Sequence, residues 1–245
     1  MLKGILFGLI GLYVLLVVGF LVTRVREGGV KALFLKASAS LTFVMCAITA
    51  LLMSPENNRY GILIVIGMMF GVLGDIWLDL KYVQKEHEEA YTFAGMITFL
   101  IGHLFYIAGI LSVYPEFVPW QICLAVFSAV GVTVLTRILG RNKEYNYGKV
   151  NGLVFVYSIV TMLIVTLCLN ARNCFVFLPM LQGADAPEYF WKFVLMTAAT
   201  VLFALSDLVL SYIYFLKDGN TSKNVVINHS LYYVAQLILA LSICM

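Results

Sequence analysis

Runs of roughly 20 consecutive apolar residues recur along nearly the whole chain, and this repetition limits the folds open to it. Each run is long enough for an α-helix to cross a hydrocarbon layer of about 30 Å. A membrane β-barrel would instead alternate apolar and polar residues in segments of about 10 residues. Of the 245 residues, 62% are hydrophobic and only 12% are charged, which is about half the charged fraction of a soluble domain. The sequence therefore predicts an all-α polytopic membrane protein.

The apolar runs predict about eight transmembrane helices in a single transmembrane domain over residues 1–245. The predicted spans cover residues 4–22, 33–53, 60–80, 92–113, 119–138, 150–170, 189–215 and 226–244. The longest connection, residues 171–187, is predicted to be non-helical and to lie along the membrane interface. The five cysteines form no close pair, which favours small core residues over disulfides or zinc ligands.

Lysine and arginine are distributed unequally between the two ends of the predicted bundle. Eleven of the sixteen lie in or beside the first, third, fifth and seventh connections: Arg24, Arg26, Lys31, Lys81, Lys85, Arg137, Arg141, Lys143, Lys149, Lys217 and Lys223. The positive-inside rule places these connections in the cytoplasm and both termini outside. The host membrane would be the plasma membrane of a bacterium, or the endoplasmic reticulum or another internal membrane of a eukaryote. The charge of +3 includes no basic block, so no nucleic-acid partner is expected.

Two short motifs occur twice and predict an internal repeat of residues 1–113 and 119–245. Gly74-Asp75-Ile-Trp-Leu78 resembles Ser206-Asp207-Leu-Val-Leu210, and Leu104-Phe-Tyr106-Ile-Ala108 resembles Leu231-Tyr-Tyr233-Val-Ala235. The offsets between the copies are 132 and 127 residues, a difference that a change in loop length would absorb. Two parallel four-helix halves would place the two aspartates at equivalent positions facing one axis.

Ionisable residues within membrane spans cost about 2.5 to 3.5 kcal/mol each on insertion, and they are therefore functional candidates. The candidates taken from the spans are Lys36, Asp75, Asp79, His103, Asp207 and His229. All except the mid-membrane His103 lie toward the cytoplasmic side, as do Asn151 and Tyr157, which predicts a polar cavity open to that leaflet. Asp79 is expected to reach water by snorkelling, and Lys36 either to snorkel or to bind a phosphate.

Helical spacing arranges the polar side chains in stripes that are predicted to meet in the bundle core. Gly71 and Gly74 are expected to let a neighbouring helix approach Asp75 closely. The stripes are Asp75 with Asp79, His103 with Tyr106, and His229 with Tyr232, Tyr233 and Gln236.

Two buried carboxylates that face each other favour acid and base chemistry, because one can hold a proton while the other is ionised. No Gly-x-Ser-x-Gly, His-Glu-x-x-His or phosphate-binding glycine motif is present. Two alternatives stay open. A proton-coupled transporter would use Asp75 and Asp207, although the outer halves of the spans offer little polar lining for a pathway. A metal-dependent lipid amide hydrolase would use aspartates and histidines, but these lack characteristic ligand spacing, so no metal is expected.

Five segments of the chain, in order, resemble the lysoplasmalogenase family of membrane hydrolases, also called the YhhN-like family. They are Gly74-Asp75-Ile-Trp-Leu78, Gly95-Met96-x-x-Phe99-x-x-x-His103-x-x-Tyr106, Tyr157 with Met162, Ser206-Asp207-Leu-Val-Leu210, and Tyr233-Val-Ala235-Gln236-Leu237. The resemblance covers most of the chain. It implies hydrolysis of the vinyl ether bond of lysoplasmalogens to a fatty aldehyde and a glycerophospho-base.

The same resemblance suggests roles for the candidate residues. Asp75 and Asp207 would be the catalytic acid and base, in an order that the sequence leaves open. His103 would position water or tune an aspartate, and Lys36 would bind the phosphate. The residues expected to bind the carboxylates or the glycerol oxygens, or to line the same polar layer, are Tyr106, Tyr157, Tyr233, Gln236 and Asn151. The partner is a lysophospholipid within the membrane, no cofactor is expected, and the oligomeric state is left open.

Overall fold

The computed structural model shows a bundle of long, mostly antiparallel helices. It describes residues 1–54, 58–113, 119–140, 145–181, 183, 185 and 190–245. The helices are α1 (Leu2–Arg26), α2 (Gly29–Met53), α3 (Arg59–Val83), α4 (Glu88–Val113), α5 (Pro119–Gly140), α6 (Asn151–Arg172), α7 (Leu178–Leu181), α8 (Phe190–Phe215) and α9 (Ser222–Leu241). Arg141 and Lys143, which contribute to the topology prediction, lie outside the described residues.

The eight predicted spans are confirmed as helices that are long and apolar enough to cross a membrane. The prediction for residues 171–187 is wrong in its first part, because α6 continues to Arg172 and is followed by a π-helical segment, Asn173–Phe177, and then by α7. A helix keeps the backbone groups of this apolar segment hydrogen-bonded, which a membrane environment requires. Residues 182, 184 and 186–189 lie outside the described part of the chain.

Much of the surface of the bundle is apolar, and its interior contains charged side chains. Phe7, Leu15 and Phe127 are 72% to 75% exposed, as expected for side chains that face lipid tails. Lys36 and Asp75, in contrast, are only 2% exposed. The chain is therefore an integral membrane protein.

Glycines bring α3 and α4 into close contact. A Cβ atom added to Gly102 would lie 2.8 Å from the backbone oxygen of Gly67, and one added to Gly74 would lie 2.5 Å from the ring of Phe99. Gly71 faces α9, where the Tyr232 hydroxyl is 3.7 Å from the position of an added Cβ. The expected close approach is thus confirmed at Gly74, whereas an added Cβ at Gly71 would make only ordinary contacts. Small residues allow such close approach between other membrane helices as well.

The basic connections meet at one end of the bundle, which we call the basic end: residues 24–31, 81–88, 137–140, 145–151 and 215–223. Lys149 pairs with Glu89 at 3.1 Å, and the Asn146 amide donates to the Phe215 carbonyl at 2.8 Å. Tyr145 and Leu216 form an isolated β-bridge at the same place. Polar side chains that reach this end from different helices are therefore close enough to form sites.

Candidate active site

A cavity of about 450 Å³, which we call the main cavity, lies between α4, α5, α6 and α8 and extends to the basic end. This volume is within the range of about 300 to 1,000 Å³ that is usual for small-molecule sites. Its apolar wall includes Leu78, Met96, Phe99, Val154, Met162, Leu208 and Phe215. Its polar lining comprises Thr133, Thr136, Arg137, Tyr145, Tyr147, Asn151, Tyr157, Ser158, Thr161, Asp207, Ser211 and Tyr214.

Asp207 supplies the carboxylate of the main cavity. The Tyr157 hydroxyl donates a hydrogen bond to Asp207 Oδ2 at 3.0 Å, and Thr161 Oγ1 donates to the same oxygen at 3.4 Å. Tyr157 and Thr161 are four residues apart, so both project from one face of α6 toward α8. Among the described residues, no cation pairs with Asp207, and its Oδ1 has no hydrogen-bond partner. This oxygen is free to act on a molecule in the cavity.

Arg137 supplies a positive charge at the basic end of the main cavity. Its guanidinium donates to the Asn151 side-chain oxygen at 3.0 Å and to the Asn151 carbonyl at 3.2 Å. It also lies over the rings of Tyr147 and Phe155, with Cζ at 5.1 and 5.0 Å from their centroids. Burial raises the pKa of the Tyr147 phenol, although Arg137 acts in the opposite direction, so this phenol is a neutral donor at neutral pH.

The sequence predicted Asn151 and Tyr157 for this layer but used Arg137 only as a topology signal. Thr133 and Arg137 are four residues apart and share one face of α5. Thr133 is also a polar residue inside an apolar span. These two features were the signs in the sequence that Arg137 turns inward. Nothing in the sequence alone relates α5 to α8.

Asp75 lies in a different network, which also includes Lys36 and which we call the ion-pair cluster. Ser40 Oγ and the Tyr232 hydroxyl donate to Asp75 Oδ2 at 2.6 and 2.7 Å. Lys36 Nζ lies 3.2 Å from Asp75 Oδ1 and 3.2 Å from Asp79 Oδ1. Asp75 and Asp207 have no hydrogen-bond or ion-pair partner in common in the described structure, and Asp75 does not line the main cavity. The two aspartates are therefore not brought together as a direct pair.

Asp79 completes the ion-pair cluster, and its position corrects two expectations. Asp79 is 2% exposed and pairs with both Lys36 and Arg24, so the prediction that it snorkels to water is wrong. Lys36 does not snorkel either, because its ammonium is buried between two carboxylates. A buried charge without a partner would cost several kcal/mol. This cost explains why the two cations and the two anions occur together.

His103 is buried beside Tyr157, the residue that binds Asp207, and has no polar partner among the described residues. It is 1% exposed, and neither ring nitrogen has a hydrogen-bond partner in the described structure. Its ring centroid lies 5.2 Å from that of Tyr157 and 5.0 Å from that of Phe203. A void of about 10 Å³ lies beside His103 and Thr161, close to the volume that one water molecule needs.

The remaining predicted residues, Tyr106, Tyr233 and Gln236, do not line the main cavity. The Tyr106 hydroxyl donates to Gln236 Oε1 at 3.3 Å. The Tyr233 hydroxyl lies 3.4 Å from the Lys36 carbonyl and 3.5 Å from Ser40 Oγ. Tyr233 therefore supports the ion-pair cluster, whereas Tyr106 and Gln236 form a buried pair near His103.

The bundle and its main cavity define a polytopic helical membrane protein with a polar site toward one end of the bundle. The chain belongs to the YhhN family, whose model matches residues 32–243, and this family includes lysoplasmalogenases. The match confirms the resemblance seen in the motifs and is consistent with a membrane hydrolase. Searches of curated proteins and of solved structures find no match.

Proposed function

We propose that this protein hydrolyses the vinyl ether bond of lysoplasmalogens in the main cavity, with Asp207 as both acid and base. The observation that carries the proposal is the free Oδ1 of Asp207 in a cavity that has an apolar wall and a cation at the basic end. A lysophospholipid has the matching parts, because it combines one long apolar chain with a phosphate group. Family membership supports the same reaction class.

Asp207 acts first as the acid. Its proton is transferred to the vinyl carbon that is farther from the ether oxygen, and the other vinyl carbon becomes part of an oxocarbenium ion. The new carboxylate stabilises this cation, as carboxylates do in glycoside hydrolysis. Tyr157 and Thr161 hold Oδ2 throughout, so that Oδ1 stays directed toward the substrate.

Asp207 then acts as the base. A water molecule adds to the oxocarbenium carbon and gives a proton back to the carboxylate, which forms a hemiacetal. Collapse of the hemiacetal breaks the bond to the glycerol oxygen, which takes up a proton, and releases the fatty aldehyde. One water is consumed in each cycle. The void beside His103 is adjacent to Thr161 and is the place from which we expect this water to be supplied.

Substrate orientation comes from Arg137 and the apolar wall. We assign the phosphate contact to Arg137 in place of Lys36, because Lys36 already pairs with two buried carboxylates. We assign Asp75 a positioning role. It binds the Tyr232 hydroxyl, and the Tyr232 ring packs 6.0 Å from that of Phe99, which lines the cavity.

The deciding experiment compares a lysoplasmalogen with its saturated alkyl-ether analogue, using purified protein and mass spectrometry of the released aldehyde and glycerophospho-base. Only the vinyl ether should be cleaved, since the saturated ether cannot be protonated at carbon. The Asp207→Asn variant should lose about 100-fold or more of the activity. Asp218→Asn is the matched control: Asp218 is exposed at a positive φ of 59°, which asparagine tolerates, and its activity should be unchanged. Wild-type activity in a folded Asp207→Asn variant would refute the mechanism.

A further inference from the structure

A second cavity of about 300 Å³ lies at the basic end, between the ends of α1 and α3 and the start of α9. It is separate from the main cavity, although Leu210 and Tyr214 of α8 line both. The mechanism proposed above makes no use of it. Its charged lining residues in the described structure are Arg24, Asp79 and Lys85.

Arg24 lines this cavity and has a donor without a partner among the described residues. Its side chain is 9% exposed, its guanidinium pairs with Asp79, and Cζ lies 4.4 Å from the centroid of the Tyr82 ring. Arg24 Nε is buried and has no hydrogen-bond partner among the described residues. A buried donor without a partner costs about 1 to 3 kcal/mol, so such groups usually serve a ligand or an ordered water.

The other lining groups favour an anion. Asp79 is the carboxylate of the described lining, and Lys36 and Arg24 already compensate its charge. Lys85 is exposed at the rim and carries an additional positive charge. The start of α9 also faces this space: Thr221 caps the Asn224 amide at 3.2 Å, and the amide of the lining residue Ser222 has no acceptor within the helix. A helix of this length presents a partial positive charge at its start.

We propose that this second cavity binds a phosphate group, held by Arg24 Nε, the Lys85 ammonium and the amides at the start of α9. Guanidinium, ammonium and helix-terminal amides are the donors that proteins commonly use for phosphate. At the basic end of a membrane protein, the phosphate belongs either to the head group of an anionic lipid or to a free phosphate compound. The chemistry recognised is the same in both cases.

The test measures the melting temperature of the purified protein and does not depend on enzymatic activity. Inorganic phosphate is titrated against chloride at equal ionic strength, and phosphatidylcholine nanodiscs are compared with and without phosphatidic acid. We expect phosphate to raise the melting temperature in a saturable way. The apparent affinity for phosphate should fall about tenfold in Lys85→Gln and in Arg24→Lys. The second variant keeps the positive charge of Arg24 and lacks its Nε.

Two control variants locate the effect. Lys223→Gln removes an exposed charge near the start of α9 that does not line the cavity, and Arg137→Gln removes the cation of the main cavity. Lys223→Gln should keep the wild-type response to phosphate, and Arg137→Gln should keep the part of the response that Lys85→Gln removes. A response to phosphatidic acid nanodiscs alone would also support the site and would identify a lipid as the source. A response lost in Arg137→Gln and kept in Lys85→Gln, or no response to either probe, would overturn the proposal.

Discussion

Asp75 and Asp207 accept hydrogen bonds from matching positions of two different helices. Ser40 binds Asp75 and stands four residues after Lys36, and Thr161 binds Asp207 and stands four residues after Tyr157. The two sites differ in the residue that stands four positions earlier, which is Lys36 for Asp75 and Tyr157 for Asp207. Lys36 neutralises Asp75, whereas Tyr157 offers Asp207 only a hydroxyl. In the proposed mechanism, this one side-chain difference separates a positioning carboxylate, Asp75, from the reacting carboxylate, Asp207.

The ion-pair cluster leads to a prediction about stability. It contains two cations and two anions, so Asp75→Asn or Lys36→Met alone leaves one buried charge without compensation. Each single variant should lose about 3 to 5 kcal/mol of unfolding free energy. The double variant restores the balance and should be more stable than the sum of the two losses implies. Thermal or denaturant unfolding of all four proteins measures the coupling, and strict additivity would contradict the assignment.

Arg137 leads to a prediction about substrate affinity. If Arg137 binds the phosphate equally in the ground state and the transition state, Arg137→Gln should raise KM about tenfold and leave kcat nearly unchanged. Lys149→Gln is the control, because Lys149 is an 84% exposed cation at the same end and pairs with Glu89 on the surface. Steady-state kinetics on a lysoplasmalogen separates the two constants. A large fall in kcat with unchanged KM would assign Arg137 to the chemical step instead.

The candidate site could be predicted only in part from the sequence. The cost of placing an ionisable group in the membrane selected Asp75, Asp207 and His103 without any structural information. Helical periodicity shows which residues share a face of one helix, but it does not show which helix that face meets. The ion pairs of Lys36 and the separation of the two aspartates depend on which helix each face meets. Arg137 was missed because an arginine at a span end has an ordinary explanation in topology.

At the scale of single helices, the glycine contact between α3 and α4 is directly testable. Gly102→Ala would place a Cβ atom 2.8 Å from the Gly67 carbonyl oxygen, so the helices must separate. We expect a loss of about 1 to 3 kcal/mol, as for other overpacked sites. Gly8→Ala is the matched control, since a Cβ there meets nothing within 4 Å. Equal melting temperatures for the two variants would show that α3 and α4 can separate without loss of stability.

Hydropathy predicted the existence of every long helix but placed several ends too early. α1 was predicted to end at residue 22 and reaches Arg26, and α3 was predicted to end at residue 80 and reaches Val83. Both extensions contain charged residues, and these lower the mean hydropathy of any window that includes them. In the structure Arg24 lies in the last turn of α1 and pairs with Asp79, which compensates its charge. Pairing between elements is information that a single segment does not contain.

For the whole molecule, the helix contacts follow one pattern in both predicted halves. In the first half, α1 packs on α2, α2 on α3 and α3 on α4. In the second half, α5 packs on α6, α6 on α8 and α8 on α9. Between the halves, α4 packs on α6 as α9 packs on α2. Exchanging the halves leaves these eight helix pairings unchanged, which is the arrangement that two parallel copies would produce. The match is incomplete, because α9 also packs on α1 and α3 and the described residues show no comparable packing of α4 on α5 and α8. The duplication itself stays a prediction, based on the matched motifs around Asp75 and Asp207.

The charge asymmetry of the whole molecule predicts its orientation: the basic end faces the cytoplasm and the N-terminus faces outside. Single cysteines introduced into a cysteine-free variant test this with a membrane-impermeant maleimide on intact cells. Lys3→Cys, exposed near the start of α1, should react in intact cells, whereas Lys149→Cys, exposed at the basic end, should react only after permeabilisation. Removing the surface pair of Lys149 with Glu89 should cost little, so both variants should fold. The reverse labelling would place the main cavity, and with it the proposed substrate, on the outer leaflet.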